Sequence, residues 1–139
     1  MLVNPIKNGI VIDHIESGNA LRIYDLLKLN DIDCPVALIT NAISKKGQKK
    51  DIIKIDGELE VNLDILGYIS PNITINYIKD GVIVDKIHPQ LPKELINVVK
   101  CSNPRCITSI EQEVDHIFHL TDEENHVYRC IYCESKASR

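Results

Sequence analysis

Four of the five cysteines in this 139-residue chain stand in two close pairs, Cys101 with Cys106 and Cys130 with Cys133, at a spacing of C-x4-C-x23-C-x2-C. Sulfur at this density serves either disulfides or a metal, and the cellular compartment decides between them. The opening residues, MLVNPIKNGIVIDHI, hold no basic leader, no apolar core of signal-peptide length and no small-residue cleavage site. The chain is therefore expected in the cytoplasm, where thiols stay reduced. Asp, Lys or Asn interrupts every apolar run well short of the roughly eighteen residues of a membrane helix, so no membrane partner is expected. Four thiolates then suit one Zn²⁺, which accepts four soft ligands in a tetrahedron at about 2.3 Å. In SNPR, Ser102 and Asn103 favour the turn that brings the first pair together, and Pro104 fixes its own φ. Four sulfurs leave no open coordination position, so the ion is expected to be structural and to activate no water. Buried or disulfide-bonded cysteines are the weaker alternative, given the paired spacing. Cys34, between Asp33 and Pro35, reads as a small core residue.

A second group with chemical capacity is IDHIESG, which sets Asp13, His14 and Glu16 within four residues. On a regular strand Asp13 and His14 point to opposite faces, which argues against an acid–base dyad. The chain also has no Gly-rich phosphate loop, no nucleophile elbow and no open metal site. A binding module is expected, not an enzyme.

The elements that must position these groups follow from periodicity. GIVIDHI, at about 9–15, is short, apolar and β-branched, hence a strand. SGNALRIYDLLKLN places Ala20, Ile23, Leu26 and Leu27 at helical spacing, with Ser17 or Asn19 as the cap. CPVALITNAI and KKDIIKI read as strands joined by the polar loop SKKGQK. NLDILGYIS sets Leu63, Leu66 and Ile69 on one helical face, and Pro71 ends it. NITINYI and VIVDKI are strands around the hairpin signal KDG. The order β, α, β, β, α, β, β predicts an α+β fold, a ferredoxin-like βαββαβ sandwich with an added strand, over residues 1–92. Pro89 and Pro92 stiffen the connector HPQLPKELINVV.

Residues 97–139 form a second domain with one Phe, few consecutive apolar residues and many charges, too little to close a core unaided. Zinc is expected to supply its folding energy. CITSIEQEV, DHIFHL and HVYRCIYC read as strands of a small all-β, zinc-ribbon-like domain, and His116, His119 and His126 as exposed strand or loop residues. A zinc ribbon raises the possibility of nucleic acid. Yet residues 97–139 carry five Lys or Arg against seven Asp or Glu, and the first 96 residues eleven against thirteen. Neither has the basic footprint that phosphate neutralisation requires, and Trp is absent. A protein partner is the stronger reading; a nucleic-acid module or a general zinc-ribbon adaptor is the alternative.

IKNGIVIDHI, KKDIIKI, NITINYIKDGVIVDK, HPQLPKELINVVKCSNPRCI and YRCIYCE together resemble the regulatory chain of aspartate carbamoyltransferase, over about residues 6–134. The resemblance implies a noncatalytic subunit in pyrimidine biosynthesis. Its N-terminal domain would bind ATP as activator and CTP as inhibitor at one site, with UTP a further effector. Its zinc domain would contact the catalytic chain, and the chain would form a homodimer. Carried over by position, Ile6 and Ile12 line the base pocket with Val11 beside them, and Asp13 meets the ribose hydroxyls, as a carboxylate acceptor can. His14 and Lys86 face the triphosphate, and Lys54 the base or sugar. Asn76, Ile78 and Ile83 close the pocket, and Lys50 belongs to an adjoining effector subsite. Cys101, Cys106, Cys130 and Cys133 hold the zinc. Taken singly, each lysine would read as a solvated strand-edge charge; their joint match is what assigns them.

Overall fold

The computed structural model describes residues 6–70 and 72–137, and the chain divides into two units, Met1–Gln90 and Leu91–Arg139. The first contains β1 (Gly9–Glu16), α1 (Ala20–Leu26), β2 (Val36–Ile43), β3 (Lys49–Ile55), α2 (Leu63–Ile69), β4 (Thr74–Lys79) and β5 (Val82–Ile87). The strands form one antiparallel sheet in the order β2-β3-β1-β4-β5. This is the expected βαββαβ arrangement with an added strand at one edge.

Side-chain alternation gives the sheet two different faces. Ile53, Ile12 and Ile75 are paired across three strands and fully buried, as are Ile10 and Ile55 one step along. The opposite face carries the row Ala37, Lys54, Val11, Asn76, Lys86, each paired with the next. Four of these five are half-buried and Lys86 is exposed.

The helices match the expected segments, with two local differences. Asn19 is the N-cap of α1 but makes no side-chain cap bond. The carboxylate of Asp51 on β3 instead accepts from the backbone N–H of Gly18 at 2.9 Å and Ala20 at 3.3 Å. On α2, Asn62 caps conventionally, accepting from the N–H of Asp64 at 3.0 Å and Ile65 at 3.3 Å. The buried residues of α2 are Ile65, Leu66, Gly67, Tyr68 and Ile69, while Leu63, expected on the same face, is the first residue of the helix and is exposed. The expected stop at Pro71 lies outside the described residues; α2 ends at Ile69 with Ser70 as C-cap. The β4–β5 turn is Asp80-Gly81, with φ of 53° and 79°, the left-handed pair that a two-residue hairpin needs.

The second unit has a three-stranded antiparallel sheet, β6 (Glu94–Ile96), β7 (Ile117–Asp122) and β8 (Val127–Cys130), in the order β6-β7-β8. Leu95, Phe118 and Tyr128 are its large buried side chains. Two expectations are corrected here. The connector segment contributes a strand, β6. CITSI, expected as a strand, is instead a helical turn, α3 (Ile107–Ile110). The reason is local bonding: the N–H of Cys106 and the hydroxyl of Ser109 both donate to the carbonyl of Asn103, which winds the chain around the sulfur.

Candidate functional site

The cysteine cluster is built from two loops. Cys101 and Cys106 flank a turn in which Asn103 Oδ1 accepts from the N–H of Arg105 at 3.0 Å. Cys130 ends β8, and Cys133 follows in the turn after it. All four Sγ atoms lie within 4.8 Å of one another, with Cys101–Cys133 at 3.5 Å and Cys106–Cys130 at 3.7 Å. These separations far exceed a disulfide bond of about 2.05 Å. They match the roughly 3.8 Å edge of a tetrahedron whose centre is about 2.3 Å from each sulfur. The donor set therefore fits one tetrahedral Zn²⁺, and these four thiolates would hold it.

Protonation supports the fit. Burial pushes the Cys101 thiol up to about 12, and burial likewise raises Cys130. The Ser135 hydroxyl and then its N–H draw Cys133 down to about 6. A divalent cation would displace the protons that burial retains. Two neighbours support the ligands. The Thr108 hydroxyl, itself buried, donates to Cys106 Sγ at 3.1 Å, and His116 Nδ1 accepts from the N–H of Cys101 at 3.1 Å. His116, expected as an exposed residue, is half-buried with its ring turned to the metal loop. A histidine at the start of a strand gave no sequence signal of this. His119 is exposed as expected.

In the first unit a cavity of about 800 Å³ is lined by Asp13, His14, Lys45, Lys46, Lys49 and Lys50 among others. A bulge shapes it. Ile12 pairs with Ile53 and Ile15 with Asp51, so Asp13 and His14 together oppose Ile52. His14 takes the left-handed φ of 59°, its N–H donates to Asp13 Oδ1 at 2.6 Å, and its Nδ1 lies 3.1 Å from Thr74 Oγ1. The expectation that Asp13 and His14 point to opposite faces is thus corrected: the extra residue breaks the alternation and both line one cavity. Asp13 also pairs with Lys50 at 2.9 Å, both about one-fifth exposed.

The remaining residues sort by face. Val11, Lys54, Asn76 and Lys86 share the uncovered row, and Ile78 and Ile83 pair with each other on that same face. Asn76 Oδ1 is buried without a hydrogen-bond partner, an acceptor held ready for a donor. Ile6 is half-buried and packs beside Gly9. Ile12 does not join this group. It is fully buried on the other face, paired with Ile53 and Ile75, because alternation sends it opposite to Val11. Lys45, Lys46 and Lys49, read from sequence only as a polar loop and a strand start, also line the cavity. The signal was their density, with four lysines in six residues.

Both domains match family models: residues 1–90 the aspartate carbamoyltransferase regulatory chain, allosteric domain, and residues 93–139 its metal binding domain. The chain belongs to the aspartate carbamoyltransferase regulatory chain family. A regulatory chain of Clostridium acetobutylicum is 52% identical over 134 residues, covering 96% of this chain and 92% of the relative. One from Clostridium tetani is 47% identical over 135 residues, covering 96% and 94%. One from Bifidobacterium longum is 41% identical over 137 residues, covering 99% of each. As a regulatory chain it is noncatalytic, in keeping with a closed four-sulfur metal site. The regulatory chain's metal-binding domain coincides with the unit that holds the four cysteines.

Proposed function

We propose that residues 1–92 bind nucleoside triphosphates, CTP and ATP with UTP as a further effector, and that residues 97–139 dock on the catalytic chain of aspartate carbamoyltransferase. Through both, the chain would regulate pyrimidine biosynthesis. The observation that carries this reading is the lysine-lined cavity around Asp13 and His14, in the unit matched as an allosteric domain. Its four lysines suit a polyphosphate, its volume suits one nucleotide, and Asp13 suits ribose hydroxyls. The row Val11, Lys54, Asn76, Lys86 and the pair Ile78–Ile83 would take the base and the rest of the nucleotide, with Ile6 beside them.

In the second unit Ile107, Ile110, Ile131 and Tyr132 are exposed, and all four belong to the segments that follow Cys106 and Cys130. A patch of this kind suits a protein partner and depends on the metal for its shape. Both sheet edges of the first unit are open, β2 with exposed Ile43 and β5 with exposed Val82, Ile83 and Val84. Such an edge supports pairing with a second copy into a homodimer. Regulation is then a difference in effector affinity between two arrangements of the catalytic assembly.

The test is titration calorimetry of the zinc-loaded chain with CTP and ATP, beside a variant carrying Asp13→Ala and Lys86→Ala. Saturable binding lost in the variant supports the reading. No binding by the unaltered chain overturns it and leaves a zinc-dependent adaptor.

A further inference from the structure

We propose that Asp51 is the positioning residue of the effector cavity: its buried carboxylate ties the β2 bulge to the turn that leaves β1, and through that turn fixes the end of the strand on which Asp13 and His14 stand side by side. This rests on reading the cavity as a nucleotide site.

The bulges lie at one level of the sheet. On β1, Asp13 and His14 oppose Ile52; on β2, Thr40 and Asn41 oppose Asp51, since Ile39 pairs with Ile52 and Ala42 with Lys50. Each bulge contains one non-glycine residue in the left-handed region, His14 and Asn41, both at φ 59°. That conformation is disfavoured for L-residues and persists only where the surroundings impose it.

Asp51 holds Asn41 in it directly and reaches the His14 bulge through the turn that follows β1. The residue is fully buried, and no Lys or Arg pairs with it among the described residues. Its charge is met by backbone N–H groups alone. Oδ1 accepts from Asn41 at 3.1 Å, and Oδ2 from Gly18 at 2.9 Å and Ala20 at 3.3 Å. One carboxylate thus ties the β2 bulge to the turn that leaves β1, and the Ser17 hydroxyl adds a bond to Asn41 Oδ1 at 3.0 Å. An apolar side chain would fill this core position without the cost of burying a charge, but would leave three N–H groups without acceptors. Its neighbour Lys50, pointing to the other face of β3, holds Asp13 at 2.9 Å. Asp51 itself does not line the cavity; it acts through the backbone that carries Asp13 and His14.

The test is Asp51→Asn in the full zinc-loaded chain. The substitution keeps size and sets an N–H donor against at least one of the three N–H groups. Zinc content and far-UV circular dichroism should match the unaltered chain. The His14 imidazole resonances should move, reporting loss of its Thr74 contact, and CTP affinity should fall by about tenfold or more. Unchanged His14 resonances would overturn the proposal even if affinity fell, since the loss would then be a stability effect. Where the unaltered chain binds no CTP, the nucleotide reading fails on its own, and the His14 resonances alone decide the positioning role. Should the variant not fold, amide exchange in the unaltered chain decides: CTP should slow exchange at Gly18 and Asn41, and unchanged exchange at both would overturn the proposal.

Discussion

The first unit buries ten isoleucines, nine from β1, α1, β3, α2 and β4 and Ile73 just before β4, beside Leu29, Leu66 and Tyr68, whereas the second buries only Leu95, Phe118 and Tyr128 besides Thr108 and three of its cysteines, among the described residues. At about 1.5–3 kcal/mol for each fully buried aliphatic side chain, the sandwich has ample driving force, and the small sheet does not. The four sulfurs supply what is missing: a structural Zn²⁺ is worth about 10–16 kcal/mol of apparent binding energy. The sites follow the same division. In the sandwich a well-packed face carries an open face on which polar side chains are displayed. In the second unit the metal centre is itself the core, so the residues that form it and those that display a surface share the same loops.

Metal removal should break the comparison most visibly. Chelation, or Cys130→Ser, should collapse the amide resonances of β6, β7 and β8 while those of β1 to β5 persist; loss of both sets together would show that the two units fold as one. Next in size is Ile12→Ala, expected to destabilise the sandwich by about 2–5 kcal/mol in denaturant unfolding, with zinc content unchanged. Val11→Ala, on the uncovered face, should cost far less, and equal losses would mean that the two faces are not distinct. Acid should act on the second unit through its thiols. Zinc must displace protons from at least Cys101, held up to about 12, and Cys130, also raised, while Cys133, drawn down to about 6, is largely ionised at neutral pH. Zinc affinity should therefore rise with pH by at least about 100-fold per unit between about pH 6 and 8 and fall more steeply still below about 6, where Cys133 is protonated too. Chelator competition across pH measures this, and a flat profile would remove the thiolates as ligands. The smallest effect is Asn62→Ala, which removes the α2 cap and should cost about 1 kcal/mol in sandwich stability.

Much of this was legible without coordinates. GIVIDHI, KKDIIKI and NITINYI alternate or run apolar in ways that only a sheet can bury, and KDG leaves little choice of turn. The cysteine spacing named its metal because ligand geometry is short-range and the intervening turn is encoded in four residues. What escaped was decided by particular bonds that composition does not reveal. CITSI has strand-like composition, but the N–H of its Cys106 and the hydroxyl of its Ser109 donate to the Asn103 carbonyl and wind it into a turn of helix. ELI is too short to declare itself as a strand until β7 lies beside it.

The candidate effector site divides in the same way. The family resemblance, not residue type, nominated Asp13, His14, Lys54 and Lys86, and period-two alternation alone would have told that Ile12 cannot share a face with Val11. Sequence could not place the bulge at Asp13 and His14, because one extra residue in a strand leaves no mark on composition and is set by what the neighbouring strand offers. Nor could it tell that Asp51, an acid directly after two lysines, is buried and bonded to three N–H groups contributed by two distant segments. The sequence by itself determined the elements of the sandwich, their order and the metal ligands, since these depend on local periodicity and spacing. Only the tertiary structure decided which side chains face one cavity, since that depends on register between strands far apart in the chain.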